Sequence, residues 1–238
     1  MPRKFYIADW HYGHANCIFF DNRPFKSMEH MNAELVRRWN EAVAPGDVVY
    51  ILGDMFWCKT TEAIEIIKLL NGTKILIKGN HDRVRDIAFA KCFAKIVDYE
   101  EVQDGEDNII LSHYPIPCFK NHFYGWLHFY GHVHTSFEHN MMLHNRYLFE
   151  ELYTKPCKMY NVGAMLPYID YTPRTKEEIL AEGEKYYKSL SNLKYPTFLF
   201  RTFSGMVQRI EPTSTLKHLE RIIAENEALK QFPNLHIV

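Results

Sequence analysis

An aspartate and a histidine stand two residues apart in Asp9-Trp10-His11, and in extended chain such a pair faces one point. A carboxylate and an imidazole so placed can share a cation or pass a proton. Gly53-Asp54, Gly79-Asn80-His81-Asp82, Ser112-His113 and Gly131-His132-Val133-His134 add oxygen and nitrogen donors farther along the chain. Singly, most of these are weak: Asp-X-His suits any solvated strand end, and Gly-Asp is ordinary turn chemistry. The run from Gly79 to Asp82 is sharper, because three consecutive side chains able to coordinate or move protons exceed what a turn requires. Taken together, Asp9, His11, Asp54, Asn80, His113, His132 and His134 form a mixed donor set that suits two first-row divalent ions. Seven donors for two ions require one carboxylate to bridge them. Two divalent ions carry four positive charges, the two aspartates remove two and a bridging hydroxide removes a third. An anionic phosphoester then balances the remainder.

Each donor group follows a short apolar run. Residues 5–8, 48–52, 74–77, 109–111 and Leu127–Tyr130 read as strands, and 158–160 reads as another leading into Asn161-Val162-Gly163. Helical periodicity lies between the early strands. Over Met28–Ala42 the apolar positions Met28, Met31, Leu35, Val36 and Trp39, with Val43 beyond, recur near 3.6 residues. Residues 61–70 repeat the pattern through Ala63, Ile64, Ile67, Leu69 and Leu70 and stop at Asn71-Gly72. Strands alternating with helices predict an α/β layered core, and in such sheets ligands gather beyond the carboxyl ends of the strands. The donors listed by type above sit at those ends.

The order Asp-X-His, Gly-Asp, Gly-Asn-His-Asp, His and Gly-His-X-His, over about residues 3 to 165, resembles the calcineurin-like metallophosphoesterases. The resemblance implies a four-layer α/β/β/α sandwich of two mixed sheets with the site on one rim. It implies that Asp9, His11 and His134 hold one metal, that Asn80, His113 and His132 hold the other, and that Asp54 bridges. His81 would stand outside the metals near the leaving-group oxygen, with Asp82 orienting its ring. The reaction implied is in-line attack of a metal-bridging hydroxide on a phosphomonoester or phosphodiester, a nucleotide included, with His81 as proton donor or charge stabiliser. The cofactors expected are two divalent ions, manganese first, with iron, nickel and zinc compatible with the same ligands.

Around this core, His14, Arg23, Arg83 and His122 are candidates for touching substrate, each set against a plainer role as a loop or surface residue. The segment 114–126 lies between two ligand strands, so it is expected to wall the site. Its Phe119, His122, Tyr124 and Trp126 are candidates either for stacking on a base or for packing the loop. His139 and His144 read as exposed, and Met141-Met142-Leu143 as core. Residues 1–165 are read as the catalytic core and 166–238 as an extension packed on it, a cap or a dimerisation element. That extension carries an expected helix over 176–190, a strand over 197–203 with a hairpin at Gly205, and a last helix over 213–229.

Bulk properties bound the alternatives. The 238 residues carry a formal net charge of −1, which gives no field to draw in nucleic acid, so a nuclease acting on nucleic-acid ends is the weaker enzyme reading. A non-catalytic scaffold on the same fold would be marked by lost ligands, and all seven are present together with His81. The five cysteines are scattered, never in a Cys-X-X-Cys pair, as expected of thiols in a reducing compartment. No run resembles a signal peptide or a membrane span. The expected location is the cytoplasm, and the expected partner a small phosphoester or nucleotide; a homodimer is left open.

Overall fold

The first strand of the chain, Lys4–Ile7, is buried on both faces beyond Lys4. Only a strand covered on two sides can be apolar at every position, so a second layer must lie over its sheet. The computed structural model describes residues 2–153, 156–190, 198–201 and 207–210. In chain order the strands of the larger compact unit are β1 (Lys4–Ile7), β2 (Val48–Ile51), β3 (Thr73–Ile77), β4 (Lys95–Val97), β5 (Tyr99–Asp104), β6 (Asp107–Ser112), β7 (Leu127–Tyr130), β8 (Met159–Asn161) and β9 (Arg174–Thr175). The helices are α1 (Cys17–Phe20), α2 (Met28–Ala42), α3 (Thr60–Leu69), α4 (Ile87–Ala90), α5 (Phe137–Tyr153) and α6 (Lys176–Ser189).

One sheet has the order β4-β3-β2-β1-β9, parallel except for β9, and the other has the order β5-β6-β7-β8, parallel except for β5. Tyr6 reaches from the first sheet to the second. Its ring stacks on Tyr50 at 5.4 Å and meets Phe129 of β7 edge-on at 5.0 Å, while its hydroxyl donates to Asp104 at the end of β5. The outer layers follow from amphipathic helices. Ser27 caps α2 by accepting from His30 N–H, and the helix buries Met31, Leu35 and Trp39, four residues apart. Trp39 meets Trp10 edge-on at 5.5 Å. The result is the α/β/β/α sandwich of two mixed sheets that the family resemblance implies; the residue pattern alone predicts an α/β core.

Three expectations are corrected. The compact unit runs from Met1 to Leu190, past the boundary at 165. The reason is burial: Leu166, Ile169, Ile179 and Tyr187 join the same core as β1, and β9 pairs antiparallel with β1 itself. Residues 137–153 form a full helix that hydrophobic counting misses. Its inward stripe is His139, Leu143, Arg146 and Tyr147, helical in spacing but half polar, so no apolar periodicity marks it. His139 is therefore buried, not exposed, and of the trio 141–143 only Leu143 is fully in the core, since Met141 is half-exposed. The second unit, 191–238, contains an antiparallel pair of strands, Phe198–Arg201 and Val207–Ile210. The expected turn at Gly205 and the helix over 213–229 lie outside the described residues.

Candidate metal centre

Strands β1 and β2 run parallel with Ile7 opposite Ile51, so the chain leaves both at one height. Beyond them Asp9 N–H donates to Gly53 O and His11 N–H to Asp54 O, each at 3.1 Å. The second sheet joins the same rim: Ala8 bridges Gly163, and Gly131 N–H donates to His113 O at 2.9 Å. Every donor group is thus delivered by a strand that ends there. The chain turns sharply at these points. Asp9, His11, Asp54, His132 and His134 all have positive φ, between 46° and 70°. A left-handed non-glycine residue costs on the order of 1–3 kcal/mol, and such strain persists where a surrounding structure fixes it and function uses it. The glycines of the motifs serve close approach. A Cβ at Gly79 would stand 2.2 Å from the Asp54 carboxylate, and one at Gly131 would stand 2.6 Å from that of Asp9.

Asp9, His11 and His134 form a first group whose donor atoms lie within 4.8 Å of one another. Asp9 is wholly buried and accepts His132 N–H on both carboxylate oxygens. Burial pushes its carboxyl up to about 6, against the pull of His134 and His113. Burial likewise holds the His11 imidazole neutral, with the positive charge of Arg23 acting the same way. His11 Nδ1 lies 3.3 Å from His14 Nδ1, and its Nε2 is buried with no hydrogen-bond partner. His134 Nδ1–H donates to Asp21 at 2.8 Å, which turns Nε2 toward Asp9, 3.8 Å away. Burial lowers the His134 pKa, but the bond to Asp21 and the charges of Asp9 and Asp21 outweigh it and raise it.

Asp54, His113 and His132 form a second group of the same size. His113 Nδ1–H donates to Leu52 O at 2.8 Å, so in the neutral ring Nε2 presents a lone pair. That atom lies 3.6 Å from the Asp54 carboxylate and 3.0 Å from Asn80 Oδ1, which is also 3.1 Å from His132 Nδ1. His113 Nε2, its Nδ1–H given to Leu52, meets Asn80 Oδ1 acceptor to acceptor, an arrangement a cation resolves. With the unpartnered Nε2 of His11, this convergence makes both donor sets fit a divalent ion in ligand type and number.

The neighbours of these groups divide into expected and unexpected. His81 stands at the mouth, half-exposed, with Nε2 4.0 Å from the Asp54 carboxylate. Asp82 does not orient that ring. Its carboxylate accepts the N–H groups of Gly79, Asp54 and Met55 at 2.8–3.2 Å, which ties the loop after β3 to the loop after β2. Arg23 is not a substrate clamp either. It is buried, paired with Asp21 at 2.9 Å, and donates to the carbonyls of Trp10 and Asp9, bracing the first motif from behind. His122 packs on Phe119, Phe123 and Phe149, away from the ligand groups, and Phe119 is core. Arg83 is exposed beside Asp82, and His14 is half-buried beside His11.

Sequence reasoning missed Asp21 and Trp57, and it gave Asn161 no role. Trp57 lies 4.2 Å, ring to ring, from both His14 and His81. Asn161 is fully buried and donates to His134 O at 2.9 Å. The position of Asn161 at the end of a predicted strand was the available signal for it; Asp21 and Trp57 lie in loops and offered none.

Comparison with known proteins agrees with this geometry. Residues 4–161 match the sequence model of the calcineurin-like phosphoesterases. An uncharacterized protein of Methanocaldococcus jannaschii is 32% identical over 187 residues, covering 78% of this chain and 93% of its own length. The gene 66 protein of Mycobacterium phage D29 is 32% identical over 132 residues, 48% of this chain and 65% of its own. Among solved structures, a protein of unknown function from Aquifex aeolicus superposes with a TM-score of 0.57 at 25% identity, over 76% of this chain and all of its own. With motif order, sandwich and two candidate metal-binding groups in agreement, the chain belongs to the calcineurin-like phosphoesterase family and is a metal-dependent phosphoester hydrolase.

Proposed function

We propose that this enzyme cleaves phosphomonoesters or phosphodiesters of small molecules, nucleotides among them. In this reading Asp9, His11 and His134 hold one divalent ion, Asn80, His113 and His132 hold a second, and Asp54 is shared. The observation that carries it is the pair of ligand groups on one rim, with His11 Nε2 buried and unpartnered. Bound there, a pair of divalent ions supplies an acidified water and neutralises charge on the phosphate. Manganese is the ion we assign for activity.

The remaining steps belong to the chain. His132 N–H and the burial around Asp9 fix that carboxylate, and Asp21 fixes the tautomer of His134. His81, at the mouth and within 4.0 Å of Asp54, is assigned to donate a proton to the departing oxygen as water attacks phosphorus in line, a role its position supports. His14 and Arg83 are assigned to contact the phosphate or its substituent. The net charge of −1 favours a small substrate over a polynucleotide. The free cysteines fit a reducing compartment, and we assign the cytoplasm. Among the described residues no helix is long and apolar enough to cross a membrane.

The test is hydrolysis of bis(p-nitrophenyl) phosphate and p-nitrophenyl phosphate, side by side, after stripping with chelator and reloading with manganese. Restored cleavage is expected, and the ratio of the two rates assigns diester or monoester preference. Failure to bind metal, or silence on a broad phosphoester panel with two ions bound, overturns the reading.

A further inference from the structure

Three large exposed rings stand around the two ligand groups, delivered by three separate loops. Phe20, the last residue of α1, is 57% exposed, with its ring 5.5 Å from His14 and 5.7 Å from His134. Trp57, beyond β2, is 38% exposed and lies 4.2 Å from His14 and from His81. Tyr114, directly after His113, is 50% exposed, with its ring 4.5 Å from His132 and 5.0 Å from His113. Scattered exposed apolar side chains are normal and need no explanation. These three are not scattered. Each touches an imidazole of the site, Phe20 and Trp57 beside the group of Asp9 and Tyr114 beside the group of Asp54.

A phosphate seated on the ligand groups leaves its organic substituent at this rim. Aromatic rings gain more from a planar π-face than from an aliphatic group of equal size, through offset stacking or edge contact. Of the rings the sequence suggested for this task, Phe119 belongs to a core cluster with Trp126 packed against it, and His122 packs on Phe149, while Tyr124 stands exposed.

We propose that Phe20, Trp57 and Tyr114 form an aromatic rim that selects phosphoesters carrying a planar group, a nucleobase or an aryl ring, over those with aliphatic or sugar-only substituents. The proposal rests on the phosphoesterase reading above and specifies its substrate class.

Rates alone would confound stacking with the better leaving ability of aryl oxygens, so the test compares binding. Manganese-loaded protein is titrated with phenylphosphonate and cyclohexylphosphonate, which match in charge and size but differ in planarity. AMP and ribose 5-phosphate, which differ only by the base, are compared as competitive inhibitors of chromogenic turnover and, if there is none, by direct titration. A planar member binding about tenfold tighter than its partner is expected. Preference in the AMP pair alone assigns nucleobases, and preference in the phosphonate pair alone assigns aryl groups. Tyr114→Ala and Phe20→Ala should each shrink the ratio with metal content unchanged, and Tyr114→Phe should keep it. Equal affinity within both pairs, with two ions bound, overturns the rim. Planar preference without any hydrolysis supports the rim and overturns the hydrolase reading, while hydrolysis without planar preference does the reverse.

Discussion

Asp54 and Asp82 brace each other's loops: the Asp82 carboxylate accepts Asp54 N–H at 3.0 Å, and the Asp54 carboxylate accepts the N–H of His81, the neighbour of Asp82, at 2.9 Å. Asp82 takes two further N–H groups, those of Gly79 and Met55. One side chain thereby fixes the backbone that carries Asp54, Asn80 and His81.

Removing that brace should loosen metal binding before it touches chemistry. Asp82→Ala leaves three N–H groups without their acceptor, at about 1–3 kcal/mol for each that stays buried. We expect a stability loss of about 3–5 kcal/mol in denaturant unfolding and weakened binding of one of two ions, with Asp82→Asn intermediate. Unchanged metal affinity in Asp82→Ala would show that the brace is dispensable.

Asp21 should act through His134. It accepts from His134 Nδ1 at 2.8 Å and is the buried counter-charge of Arg23. Asp21→Asn should weaken metal binding at the first group about 10–100-fold, the usual effect of losing a ligand's outer partner. It should also destabilise the fold, because Arg23 is left buried without its counter-charge. Calorimetric titration with manganese checks the first effect and thermal unfolding of the metal-free protein the second.

His81 should matter to turnover and not to metal content. His81→Ala is expected to lower the rate about 10²–10⁴-fold, the range of a lost general acid, while elemental analysis still finds two ions per chain. Loss of an ion in step with the rate would identify His81 as a ligand instead.

A buried histidine outside the site sets a pH dependence of stability. His128 is wholly buried, its Nδ1–H donates to Ile110 O at 3.1 Å, and its Nε2 accepts Ile116 N–H at 3.0 Å. The second bond requires the neutral ring, because a protonated Nε2 has no lone pair to accept with. Burial lowers its pKa from 6.5 to about 4, partly opposed by the bond to Ile110. With the folded pKa depressed, the unfolded chain binds the proton first. Stability from this group is therefore full above about pH 6.5 and falls as pH drops toward 4, by up to about 3 kcal/mol. Denaturant unfolding of His128→Gln should give a lower stability at neutral pH and a flatter decline over that window. A parallel decline in both proteins would refute the assignment.

Much of the site was legible because its parts are local. Each donor follows a strand whose apolar run ends at a glycine or polar residue, and each side chain can be named without knowing the fold. The gaps share one cause. Asp21 and Trp57 have roles defined by what lies opposite them, at sequence separations no periodicity encodes, and the strand end at Asn161 marks its position but not its partner. The inward stripe of α5 mixes His139 and Arg146 with Leu143, so a rule built on apolar spacing passes over it.

By itself, then, the sequence determined the kind of chemistry, the layered α/β plan and the seven candidate donor residues, since strand patterning and ligand type are properties of short segments. Tertiary structure decided which donors share a group, that Arg23 and Asp82 support backbone instead of touching substrate, and which aromatic rings lie against the site's imidazoles. Those depend on the two sheets meeting through Tyr6 and on five candidate ligand residues held at positive φ, and both are fixed by packing between segments far apart in the chain.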